Sequence, residues 1–137
     1  MITLLTGKKG SGKTKKLIEL ANKAIVESKG CVVVLEKGLK LTYDISHKAR
    51  LVDTDAYHIL SEQGLYGFIS GICAGNYDVT DVLVDSTLKI IGKEPETLVT
   101  FVDELQKLRT EANVNFVLSI SASDDEIPEG LKDFILK

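Results

Sequence analysis

Arginine is nearly missing from this 137-residue chain: fifteen of its seventeen basic residues are lysine, and only Arg50 and Arg109 carry a guanidinium. Tryptophan is absent, and Tyr43, Tyr57, Tyr66 and Tyr77 form no stripe with basic residues, which leaves no stacking platform for single-stranded nucleic acid. The net charge of −3 points the same way, since nucleic-acid-binding domains are usually basic. Two cysteines, Cys31 and Cys73, are too few for a disulfide scaffold and stand in no ligand spacing with His47 or His58. They read as reduced core residues of a cytoplasmic protein. No apolar run approaches the ~20 residues of a membrane span. Met1 leads straight into an apolar strand, so no signal peptide is expected.

What is there alternates between two periodicities. Ile2–Thr6 reads as a first strand, Cys31–Leu35 as a second, Arg50–Asp53 as a third, Val82–Asp85 as the centre of a fourth, and Val114–Ile120 as a fifth. Their near-continuous apolar character is that of parallel strands buried on both faces. Helical spacing predicts helices over Gly12–Ser28, Ser61–Ala74 and Glu94–Ala112, with a short one over Pro128–Leu136 ending at Lys137 and another over Tyr43–Lys48. Strands alternating with helices imply an α/β fold, a three-layer sandwich around a five-stranded parallel sheet, in one domain spanning residues 1–137.

Between the first strand and the first helix lies Gly7-Lys8-Lys9-Gly10-Ser11-Gly12-Lys13-Thr14. It fits G-x-x-x-x-G-K-[ST], the P-loop or Walker A motif, in the strand–loop–helix context that motif needs. Glycines let backbone N–H groups converge on phosphate oxygens, and the helix N-terminus adds a favourable dipole. Candidate nucleotide-binding residues are therefore Gly7, Lys8, Lys9, Gly10, Ser11, Gly12, Lys13, Thr14 and Lys15. In this reading Lys13 reaches the β- and γ-phosphates and Thr14 binds Mg²⁺. About 70 residues on, Val82-Val84 runs into Asp85. An acid there orients the hydration shell of a nucleotide-bound Mg²⁺; as a turn former or helix cap it would do neither. Ser121, ending the fifth strand, is either a γ-phosphate sensor or a turn serine. Lys89 and Lys93 follow the fourth strand and read as solvated surface lysines, with a phosphate role as the alternative.

On the loop and on Asp85-Ser86 the chain resembles a minimal RecA-like ATPase core, of the additional-strand class of P-loop NTPases. The resemblance covers roughly residues 1–121 and is specific only at those two segments. It implies strand order 5-1-4-3-2, with the Asp85 strand beside the loop strand. It also implies an acid near the end of the second strand to polarise the attacking water: Glu36, with Asp53 as runner-up. Many such ATPases carry Glu directly after the acid, where this chain has Ser86. Recombinase activity does not follow, because the further strands and DNA-binding loops of recombinases are not in this sequence.

The expected function is Mg-ATP binding with weak or partner-dependent hydrolysis, as a switch or a subunit of an assembly. Lys13, Glu36 and Asp85 are the catalytic candidates, and Thr14 and Asp85 the metal ligands. Arg50 opens a strand and Arg109 sits late in a helix, so both are expected at the far end of the sheet, and a homo-oligomer or protein partner would have to supply an activating residue. Two alternatives stand beside this. One is a small-molecule kinase, disfavoured by the shortage of arginine. The other is a nucleotide-binding structural module of a motor or secretion complex, distantly similar to pilus-retraction ATPases. A GTPase is disfavoured because no Asn-Lys-x-Asp segment occurs.

Overall fold

The computed structural model describes residues 1–38 and 44–136. Five parallel strands, β1 (Ile2–Thr6), β2 (Cys31–Glu36), β3 (Arg50–Asp53), β4 (Val79–Val84) and β5 (Asn115–Ile120), form one sheet. Among the described residues four α-helices accompany it: α1 (Lys13–Glu27), α2 (Glu62–Gly75), α3 (Thr87–Ile91) and α4 (Pro95–Ala112). The expected final helix is a 3-10 turn, Glu129–Phe134. The helix expected over 43–48 lies partly outside the described residues, and 44–48 form turns. Among the described residues no helix is long and apolar enough to cross a membrane.

The strand order is β1-β5-β4-β2-β3, which corrects the expected 5-1-4-3-2. Strand β5 lies between the loop strand β1 and the acid strand β4, which were expected to be neighbours, and β2 is interior while β3 is an edge. Burial gives the reason. β2 is the most apolar strand, buried at five of its six positions, whereas β3 has only four residues and begins at exposed Arg50. A strand with few buried positions loses least by having a neighbour on one side only. The open edge of β1 takes the C-terminal segment, where Leu136 N donates to Leu4 O at 2.9 Å beside the Leu4–Ile135 bridge.

The two faces of the sheet separate the core. Leu17 and Ala21 of α1 pack on Leu5, Val32, Val34 and Leu83. On the other face Leu65 and Ile69 of α2 and Leu98, Phe101, Val102 and Leu105 of α4 pack on Leu4, Val33, Leu35, Val82, Val84, Phe116 and Leu118. Helix starts follow local chemistry: Ser61 caps α2 by accepting from Gly64 N at 3.0 Å, and Pro95 opens α4.

One buried acid is out of keeping with this core. Glu62 is only 6% exposed, its Oε1 has no partner among the described residues, and Glu104 of α4 faces it. Burial and then the hydrogen bond and negative charge of Glu104 raise its pKa above the ordinary 4.5. The folded chain therefore holds this proton more tightly than the unfolded chain. As pH rises past 4.5 the unfolded carboxyl ionises first, and stability falls until the folded-state carboxyl has ionised too. Glu62→Gln should raise the melting temperature at pH 7 and flatten its fall as pH rises past 4.5 in parallel thermal melts. An unchanged or lower melting temperature at pH 7 would contradict this placement.

Candidate functional site

Because all five strands are parallel, their carboxyl ends share one edge, the edge where ligands of open α/β sheets bind. Reading across it from β1, the chain places Gly7, then Ser121, then Asp85, then Glu36, then Asp53. Side chains alternate between faces, so Asp85, two residues beyond Leu83, and Ser121, beyond Val117, share the α1 face.

The loop from β1 to α1 is shaped by three glycines with positive φ, Gly7 (137°), Gly10 (87°) and Gly12 (89°). At Gly7 a Cβ would sit 2.3 Å from Ser11 Oγ, so the loop closes only around a hydrogen atom there. Gly7 N donates to Ala122 O at 2.7 Å, tying the loop to the end of β5. Gly12 turns the chain into α1 through the left-handed region, which side chains other than glycine enter at a cost of about 1 kcal/mol or more.

The start of α1 is electrostatically unusual. Its first turn holds no acid and its N-cap makes no side-chain hydrogen bond; Lys13, Lys15 and Lys16 occupy it instead. The first N–H groups of a helix have no intrahelical acceptor and carry partial positive charge. Cations placed there add to that charge, which favours an anion at this helix end. Lys13 Nζ donates to Lys8 O at 3.4 Å, folding the ammonium back over the loop.

Lys8 turns the other way. It forms an ion pair with Glu126, whose carboxylate also accepts from Ser123 N and Ser123 Oγ, each at 3.0 Å. Lys8 first, and the two Ser123 bonds after it, lower the Glu126 pKa to about 2. Thr6 Oγ1 is hydrogen-bonded to Asp124, so the turn Asp124–Glu126 braces the back of the loop.

A cleft of about 750 Å³ opens in front of the loop. One wall carries Lys9, Gly10, Gly12, Lys13, Thr14 and Lys15; the other carries Asp85, Ser86, Leu88, Lys89 and Lys93, with Ser121 at the sheet edge. The sequence-derived residues Lys9, Gly10, Gly12, Lys13, Thr14, Lys15, Asp85 and Ser121 thus come together, although β5 separates the two motif strands by two ~4.8 Å strand spacings. Gly7, Lys8 and Ser11 shape the loop without lining the cleft. Glu36 is level with Asp85 on the neighbouring strand but 1% exposed and off the cleft wall. Asp53 holds turns, its Oδ1 accepting from Gly38 N at 2.8 Å and Asp55 N at 3.0 Å. Arg50 starts β3, and Arg109 Nε donates to Val114 O, so both lie at the opposite edge, as expected from the sequence. Lys89 and Lys93 are exposed, as expected of solvated lysines, and stand on the cleft's second wall.

Asp85 is 8% exposed, and its backbone N donates to Leu35 O at 2.8 Å. Ser86 Oγ donates to its Oδ2 at 3.2 Å, while Oδ1 is buried without a partner among the described residues. Ser86 itself adopts left-handed dihedrals (φ 53°), which swing the chain away from the sheet directly after the acid. A buried carboxylate oxygen lacking a hydrogen bond is costly in a finished core and suits a cation ligand. Among the described residues no three His, Cys, Asp or Glu side chains gather to hold a metal by themselves. Mg²⁺ bound to a nucleotide needs less: one or two protein oxygens, with phosphates and water completing the octahedron. Thr14 and Asp85 fit that role.

No protein-family model matches the chain, and no curated protein matches it in sequence.

Proposed function

We propose that the chain is a P-loop nucleotide-binding protein that takes Mg-ATP in the cleft between the glycine loop and Asp85, with weak or partner-dependent hydrolysis. The observation carrying this is one cleft in which a lysine-rich helix N-terminus, reached through positive-φ glycines, faces a buried carboxylate oxygen without a partner. Backbone N–H groups of the loop and the start of α1 bind phosphate oxygens, and Lys13 balances their charge. Thr14 Oγ1 and Asp85 would hold Mg²⁺, which when bound neutralises charge between the β- and γ-phosphates. Ser121 sits between the loop and Asp85 as a contact for the terminal phosphate. The RecA-like resemblance is kept for the loop and the acid strand alone; the strand order it implied is not the one found.

Slow turnover follows from what lines the cleft. Among the described residues Asp85 is the only carboxylate on its wall, and Glu36, the expected water-orienting base, is buried and off that wall. Neither arginine is near, and an arginine finger is worth about 10³–10⁵ in rate where one is used. Steady-state turnover by dilute protein should stay below about 1 s⁻¹, under the usual enzyme range. A faster rate in proportion to protein concentration would contradict the reading. A specific activity rising with concentration would mean that a second copy completes the site.

A further inference from the structure

Two features mark the cleft's far wall. The first is charge. In a protein of net charge −3, among the described residues five lysines, Lys9, Lys13, Lys15, Lys89 and Lys93, line one cleft against the single carboxylate of Asp85. Among the described residues Lys89 and Lys93 form no ion pair, in common with Lys9, Lys13 and Lys15 of the same cleft. The second is where Lys89 and Lys93 stand: both are exposed, on a wall whose backbone is anchored. Thr87, Ile90 and Ile91 of α3 are buried, and Thr87 Oγ1 donates to Val84 O at 3.5 Å. That fixes the rotation of this short helix and leaves Leu88 and Lys89 on its cleft side. Gly92 (φ 95°) donates to Leu88 O at 3.0 Å and ends the helix, returning Lys93 to the same wall.

We propose that Lys89 and Lys93 form a clamp for the terminal phosphate and make the site select a nucleoside triphosphate over the diphosphate. The inference rests on the nucleotide reading of the cleft. Direction along the ligand comes from Asp85. With Thr14 it would hold a nucleotide-bound cation, and Lys89 follows it by four residues, on the same wall of the cleft. The loop and the start of α1, across the cleft, take the inner phosphates, so the α3 wall meets the outer one. An ammonium is a point charge without the planar fork of arginine. The clamp therefore contributes binding discrimination while turnover stays slow.

The test is calorimetric titration of the full chain with Mg-ATP and Mg-ADP at about 0.15 M salt, where long-range surface charge is screened. Three proteins are compared: wild type, the Lys89→Met/Lys93→Met double variant, and a Lys23→Met/Lys29→Met control that loses the same charge at the opposite end of α1. Wild type and control should prefer Mg-ATP by about tenfold or more, about 1.4 kcal/mol. The Lys89/Lys93 variant should lose that preference with its Mg-ADP affinity within about twofold of wild type. A preference that survives in the variant, or equal losses for both nucleotides, overturns the clamp while leaving nucleotide binding in place. Wild-type protein that binds neither nucleotide overturns the site reading itself, and the clamp with it.

Discussion

Lys13→Ala should abolish stabilisation by Mg-ATP while leaving the melting temperature of the ligand-free protein within about 2 °C of wild type. In the folded chain the Lys13 ammonium makes one long hydrogen bond, 3.4 Å to Lys8 O, and the side chain is only half-buried, so its removal costs little fold stability. Its role is toward the ligand: it is the cation at the end of the loop, on the first residue of α1. For wild type, ligand at 100-fold above Kd stabilises by about 2.7 kcal/mol, a shift on the order of 10 °C for a chain of this size. Differential scanning fluorimetry of both proteins over a Mg-ATP series measures this. A variant that shifts as far as wild type would remove Lys13 from the site.

Asp85→Asn should act in two opposite ways. Without ligand, the substitution removes a buried charge whose Oδ1 has no partner among the described residues, so the melting temperature should hold or rise. With ligand, the dependence on Mg²⁺ should disappear: wild-type protein is stabilised more by ATP with Mg²⁺ than by ATP with EDTA, and the variant equally by both. Asn keeps the size and the polar contact to Ser86 but not the charge that a hard cation prefers. A variant that loses several degrees without ligand and retains the Mg²⁺ effect would make Asp85 a structural cap, the alternative its sequence context allows.

How much of this was legible in the sequence depends on range. The glycine loop, β1 and β3 were readable to the residue, and α1, α2, α4, β2 and β5 to within one or two, because each depends on local periodicity and caps. Strand order was not, since an apolar run reports burial on two faces and says nothing about lateral neighbours. A clue was present: Cys31–Glu36 is the most apolar run, while Arg50–Asp53 is short and charged at both ends, which marks the first as interior and the second as an edge. The order 5-1-4-3-2 came from the resemblance to RecA-like cores alone. Helix α3 was missed because five residues are too few for a 3.6-residue period to appear. Its signal was the apolar pair Ile90-Ile91 followed by Gly92, and without it Lys89 and Lys93 had no wall to stand on. Lys8 was assigned to the phosphates with its loop neighbours; its turn toward Glu126 depends on a contact over more than a hundred residues.

Titration calorimetry of the wild-type chain with Mg-ATP, beside Lys13→Ala, bears most directly on whether this cleft is a nucleotide site. One site per chain is expected, with binding weakened by EDTA in wild type and lost in the variant. No heat of binding and no thermal shift at millimolar Mg-ATP would mean that the glycine loop, for all its geometry, is not a phosphate site.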